Sequence, residues 1–232
     1  MSATGLGTVL GVWAHPDDEC YLMAGTALVA AAAGSYVACI TATAGEAGAT
    51  SDDDRWPRSR LASIRTQELG ASLAVLGITD HTWLGLPDGG LASVDLASGV
   101  ALIAEAVDRV RPDTVLTFGP DGMTGHPDHM AVGDWAERAV TEVMGDRCRV
   151  LAATKTPGWA EAFAAVNADV FESGPPCTPP DKLALEVRLS DDVLDRKLRA
   201  LAAQLSQTAA LAAWMGPATY RAWVAEEYWV RR

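Results

Sequence analysis

Three of the chain's four histidines stand in two matching tetrapeptides, His15-Pro16-Asp17-Asp18 and His126-Pro127-Asp128-His129. Each follows a β-rich run and opens onto a helical pattern. Proline suits the first helical position, because its missing N–H would have had no intrahelical partner there. With Pro16 and Pro127 at that position, each quartet begins a helix, and residues three apart share one face of the first turn. His15 then lies beside Asp18, and His126 beside His129. Two imidazoles and one carboxylate, with a fourth position left for water, are the ligand set of catalytic rather than structural zinc. The surplus, Asp17 and His126, is what a hydrolase requires: a base for the water and a group for the developing oxyanion. Either quartet alone reads equally well as a polar helix start, with its acid complementing the helix dipole. The two together, in matched context, point to a metal.

The elements around them alternate. Thr8 to Ala14 reads as a buried strand, followed by a small-residue helix from about Cys20 to Ala33 and a second strand, Tyr36 to Thr43. A helix from about Arg55 to Leu76 stops at Gly77, and His81 to Leu86 is a short strand. Leu96 to Val110 carries helical spacing and is closed by Pro112. Val115 to Phe118 is a strand, and Pro127 to about Val143 is a helix. Strands separated by helices imply an α/β, Rossmann-like three-layer fold with a mostly parallel sheet. Both quartets then sit at carboxyl ends of strands, where open α/β sheets bind ligands, and they face each other if their strands are neighbours. The stretch Pro157 to Asp181 is rich in Pro and Gly and reads as an irregular excursion. Leu183 to Leu189 restores a strand, and Leu194, Leu198, Leu201 and Leu205 mark a further helix. No repeat interrupts residues 1–232, so a single domain is expected.

Bulk properties narrow the partners. A net charge of -12 over 232 residues argues against nucleic acid and against anionic membranes, and favours a small neutral or cationic substrate. The N-terminal stretch lacks the basic region of an export signal, and Leu22 to Ala33 is too short to span a bilayer. Four scattered cysteines without C-x-x-C spacing fit reduced thiols in the cytoplasm. A homo-oligomer is compatible with all of this.

The run Ala14-His15-Pro16-Asp17-Asp18-Glu19 and the later Gly125-His126-Pro127-Asp128-His129 resemble the two signatures of the LmbE-like (PIG-L) zinc deacetylases. That family includes the N-acetylglucosamine deacetylases of mycothiol, bacillithiol and glycolipid-anchor synthesis. Weaker matches extend over most of residues 8 to 207: Thr43-Ala44-Gly45-Glu46, Arg65 with Glu68, Leu84 to Gly89, and Ser206-Gln207. The resemblance implies zinc (with ferrous iron the alternative in the cell) held by His15, Asp18 and His129. It implies Asp17 as general base, and His126 as oxyanion stabiliser held in place by Asp128. Arg65 and Asp88 match positions that bind substrate hydroxyls, so the implied substrate is an N-acetyl amino sugar or its conjugate.

Three departures bear on the substrate rather than the metal. Thr124 stands where mycothiol-type enzymes carry a tyrosine, Gln204 stands where a histidine is often found, and the 157–181 segment matches nothing in the family. Two other readings stay open: a zinc amidase cleaving a larger amide, such as a thiol conjugate or acylated antibiotic, and a metal-containing binding protein without turnover. The retained Asp17 argues against the latter. A dinucleotide-binding domain is disfavoured, since Gly5, Gly7 and Gly11 precede or lie within the first strand rather than after it.

Overall fold

A computed structural model describes residues 5–50, 52–171 and 173–232. Residues 1–4, part of the stretch read above for an export signal, lie outside these, as does Glu172 of the 157–181 segment. Among the described residues seven strands form one sheet: β1 (Val9–Trp13), β2 (Val37–Thr43), β3 (Asp80–Leu86), β4 (Thr114–Thr117), β5 (Arg149–Thr154), β6 (Leu185–Arg188) and β7 (Glu226–Arg231). Their order is β3-β2-β1-β4-β5-β7-β6. The first five run parallel, and β7 lies antiparallel between β5 and β6. β1 is buried along its whole length, as a central parallel strand must be, and reads as the uninterrupted apolar run VLGVW.

The helices are α1 (Asp18–Leu22), α2 (Ala24–Ala32), α3 (Leu61–Leu76), α4 (Leu96–Val110), α5 (Gly122–Gly125) and α6 (Pro127–Val143). After them come α7 (Pro157–Ala162), α8 (Ala164–Val170), α9 (Asp191–Ala202), α10 (Leu205–Met215) and α11 (Pro217–Trp223). Helices α2, α3 and α9 pack together on one face of the sheet, and α4 with α6 on the other. Right-handed crossovers demand that split, because the chain winds outward through β2 and β3, then restarts at β4 on the far side of β1. The restart makes β1 and β4 neighbours at the point where the winding reverses, so the segments that follow them open onto one crevice. Helices α4 and α6 approach closely enough that a Cβ on Gly99 would come within 2.3 Å of the Trp135 ring.

The structure corrects two expectations. The first quartet does not open a helix at Pro16: α1 starts at Asp18, and its N-cap Asp17 adopts a left-handed φ of 93°. The 157–181 segment is partly helical, holding α7 and α8 before its irregular remainder. Thr156 caps α7 by accepting from the Trp159 N–H, and Pro157 takes the first helical position.

A buried ion pair ties four elements together. Glu227 on β7 accepts from the Gly25 and Thr26 N–H groups at 2.8 and 2.7 Å, filling the N-terminal donors of α2. Lys197 of α9 reaches the same carboxylate at 2.6 Å and donates to the Tyr21 carbonyl at 2.9 Å, with its side chain fully buried. Removing one member of such a pair strands the other charge in the interior. Lys197→Met is therefore expected to lower the unfolding free energy in urea by about 3–5 kcal/mol. A loss below about 1 kcal/mol would show that Glu227 is satisfied by the helix terminus alone.

Candidate metal centre

His15 leaves the carboxyl end of β1 and His126, Asp128 and His129 follow β4, so neighbouring strands deliver both quartets to one place. The second quartet behaves as its spacing predicts. His126 is the N-cap of α6 with Pro127 next, and its Nδ1 accepts from the Asp128 N–H at 3.1 Å. The first reaches the same juxtaposition by a different turn. The Glu19 carboxylate accepts the Asp17 N–H at 2.9 Å and holds that residue left-handed, while the His15 N–H donates to Asp18 Oδ2 at 2.8 Å. Glu19 is itself fully buried and fixed by Ser72 and by Gln204.

The imidazoles are oriented from outside. His129 Nδ1 donates to the Gly122 carbonyl at 2.8 Å, with its ring stacked on Phe118 at 4.1 Å. His15 Nε2 faces Asp88 Oδ1 at 3.0 Å and Asp128 Oδ2 at 3.4 Å. With hydrogens on those outer nitrogens, His15 Nδ1 and His129 Nε2 turn their lone pairs toward each other at 3.1 Å. Asp18 completes the set, Oδ1 lying 3.4 Å from His129 Nε2 and Oδ2 3.7 Å from His15 Nδ1. Tetrahedral ligands at zinc–nitrogen distances stand about 3.3 Å apart, so these separations suit one cation. Two lone pairs and a carboxylate directed at one point repel each other unless positive charge lies between them. The donor set therefore fits a metal. Donor atoms of His15, His126 and His129, and separately of His15, Asp88 and Asp128, also lie within 4.8 Å of one another. In the second grouping Asp128 is already engaged, accepting from the Gly89 and Leu91 N–H groups at 2.8 and 2.9 Å.

Electrostatics agree with that polarity. Burial opposes a charge on His15, but hydrogen bonds with Asp128 and Asp88 and the field of Asp18 outweigh it and hold its proton up to about 10. Burial pushes the Asp17 carboxyl up to about 7, Arg65 pulling the other way and Asp18 and Glu19 adding to the rise. Burial also works to raise Asp88, yet its bond with His15 and the Ala47 N–H leave it at about 2. The fourth histidine, His81, lies apart on β3 against Thr41, where burial takes it down to about 4.

Asp128 meets His126 through its backbone N–H, while its carboxylate faces His15 and the 89–91 turn. Residue two of a helix turns its side chain away from the cap, which is why the pairing goes through the main chain. Arg65 and Asp88 line a polar cleft with Asp17, His126 and Gln207, but both already serve the protein. Arg65 donates to the Gly45 and Pro16 carbonyls at 2.7 and 2.5 Å and lies 3.6 Å from Asp17. It reaches them over Gly45, whose positive φ and missing Cβ leave the guanidinium its place. Thr124 is 3.4 Å from His129 Nδ1 and lines a separate, apolar cavity.

A family model described as GlcNAc-PI de-N-acetylase (PIG-L) matches residues 10–140, more than half of the chain. The chain belongs to the PIG-L family. It is 34% identical over 237 residues to a 1D-myo-inositol 2-acetamido-2-deoxy-alpha-D-glucopyranoside deacetylase of Nakamurella multipartita, covering 88% of this chain and 78% of that protein. A protein of the same description from Kineococcus radiotolerans is 35% identical over 168 residues, which is 61% of this chain but only 46% of the relative. The N,N'-diacetylchitobiose deacetylase of Pyrococcus horikoshii shares the fold, with a TM-score of 0.64 at 21% identity over 98% of this chain and 84% of that one.

The arrangement predicts that Asp128 supports metal binding through His15. Asp128→Ala is expected to weaken zinc affinity ten- to a hundredfold in a chelator competition, the usual cost of losing a partner that orients a ligand. Unchanged affinity would mean that Asp88 alone aligns the ring.

Proposed function

We propose that this chain is a metal-dependent hydrolase that frees the amine of an N-acylated amino sugar or a related small metabolite. On this reading residues 1–232 act as one deacetylase domain, with the 157–181 segment supplying part of the substrate wall. The carrying observation is the convergence of His15, His129 and Asp18 donors beside a carboxylate, Asp17, that opens onto a polar cleft. His15, Asp18 and His129 would hold the metal, for which this donor set favours zinc, with ferrous iron the alternative. Such an ion supplies Lewis acidity and brings the pKa of water near neutrality.

Asp17 takes the proton of the attacking water. A carboxyl near 7 serves well, because at neutral pH its basic form is abundant and its acid form strong enough to give the proton back. The Asp128 N–H occupies His126 Nδ1, which leaves the Nε2 hydrogen of the neutral ring to donate to the oxygen that gains charge. Asp17 then delivers its proton to the departing nitrogen, giving a free amine and a carboxylate. Arg65 keeps Asp17 aligned, and with Asp88 it would meet sugar hydroxyls in the cleft. The relatives named as deacetylases of an N-acetylated glucopyranoside support this substrate class.

No described helix is long and apolar enough to cross a membrane. The free thiols Cys20, Cys39, Cys148 and Cys177 support a cytoplasmic setting, since reduced cysteines persist there.

The test is elemental analysis together with acetate release from N-acetyl amino sugars. About one divalent ion per chain and turnover that chelation abolishes are expected. Asp17→Asn should keep the metal and lose a hundredfold or more in rate, and His126→Ala about two to three powers of ten. His129→Ala should lose the metal. Absence of metal after supplementation, or turnover undiminished in Asp17→Asn, would overturn the reading.

A further inference from the structure

The donor cluster has two sides. Asp18 and His129 border the polar cleft, and they also border a second, apolar cavity of about 170 Å³ walled by Leu22, Val170, Phe171, Leu211 and Trp223. An amide whose carbonyl sits at the cluster, with its amine half in the polar cleft, sends its acyl half into this cavity. An acetyl group places one carbon beyond the carbonyl. A dry cavity of about 150 Å³ holds benzene, so about six heavy atoms fit here. The chamber is several times larger than an acetyl group needs.

One wall is charged. Lys155 follows β5 directly, at the same carboxyl edge of the sheet that delivers His15 from β1, and it lines the chamber at 7% exposure. Its Nζ lies 4.2 Å from the centre of the Trp159 ring and 6.0 Å from those of Trp223 and Tyr228. Its polar contact is the Glu226 carbonyl at 3.4 Å. Neighbouring acids are otherwise engaged: Glu227 is bonded to Lys197 and the start of α2, and Glu226 faces Tyr228 and Arg188. Among the described residues no carboxylate lies within 4 Å of Lys155 Nζ. Burial, reinforced by Lys197, draws the ammonium down to about 7, as befits a cation lacking its counter-charge. An aromatic cage and one backbone carbonyl only partly offset the cost of such a charge, and a ligand carboxylate would complete its shell.

We propose that this cavity is the acyl chamber and that Lys155 selects an acyl group of about six heavy atoms beyond the carbonyl, ending in a carboxylate. The substrate is then the half-amide of a dicarboxylic acid, of which a glutaryl amide, with about six heavy atoms beyond its carbonyl, matches the volume. The proposal rests on the hydrolase reading above. Water adds across the C–N bond, the amine leaves protonated, and the dicarboxylate is released. Val170 and Phe171 belong to the 157–181 segment, so the part of the chain that follows no family pattern shapes this wall.

The experiment compares N-glutaryl-, N-hexanoyl- and N-acetylglucosamine as substrates, and separately measures glutarate and hexanoate binding to the metal-loaded protein by calorimetry. Glutaryl should exceed hexanoyl in kcat/KM at least tenfold, because its terminal carboxylate pairs with the Lys155 ammonium and the hexanoyl chain offers no partner. In Lys155→Met that ratio should fall to one or below, and glutarate binding should weaken at least tenfold. A thermal midpoint checks that the variant is folded, and the wild-type comparison needs no variant. Acetyl turnover with no preference for glutaryl would overturn the proposal and leave the hydrolase reading standing. Glutarate bound no better than hexanoate would overturn it as well. Inactivity on all three amides with glutarate binding that depends on Lys155 would support the chamber and sink the hydrolase reading instead.

Discussion

The ring of His15 has one nitrogen turned toward Asp88 and Asp128 and the other toward His129 and Asp18. Everything else at the site is arranged around that two-sided demand. The outer carboxylates fix which nitrogen carries the hydrogen, and so fix the lone pair that faces inward. Asp128 can do this only because α6 starts at Pro127, and Asp88 only because the turn after β3 is pinned by the Ala47 N–H. The strand order then matters for a simple reason. β1 and β4 must be neighbours for the two quartets to meet, and the reversal of winding at β1 is what makes them so.

Asp17 shows how a local conformation can be imposed from outside. A non-glycine residue at φ 93° is strained, and such strain persists only where surrounding bonds over-determine it. Here Glu19 holds the N–H and Arg65 lies against the carboxylate, while Arg65 is itself held by Gly45 and Pro16 carbonyls. The carboxylate is thereby aimed into the cleft instead of capping α1, for which its position after Pro16 would suit it. The same burial that makes this corner rigid raises Asp17 toward neutrality, so position and basicity come from one cause.

Much of this was legible because the informative residues are few. Four histidines, three of them in two quartets, leave little freedom in where a metal could go, and helical spacing located α3, α4 and α6. Where the reading missed, the sequence signal was degenerate. Separation by three residues is the same in a first helical turn and in a turn closed by Asp18 on the His15 N–H, so the left-handed Asp17 had no signature of its own. Proline in the 157–181 segment was read as a breaker, although Thr156 before Pro157 is also the pattern of a capped helix start. β7, with β6 beyond it, joins the sheet antiparallel through long-range pairing, which no local period announces. Lys155 carried no signal: a single lysine after a strand is ordinary until the fold buries it.

The site gathers Asp17, Asp18, Glu19, Asp88 and Asp128 into one corner, with Arg65 as the cation in contact with Asp17. Such a concentration of acid works against folding unless something else offsets it. Backbone N–H groups offset part, since Asp88 and Asp128 accept three between them, and burial leaves Glu19 protonated more readily than an exposed acid. On the proposed reading the remainder would fall to a cation held by His15, Asp18 and His129. Because the unfolded chain has no such cluster, binding there adds to the stability of the folded state by mass action. On the proposed reading chemistry and stability would come from the same ion, and the acids that make the corner reactive would be the reason the fold has use for it.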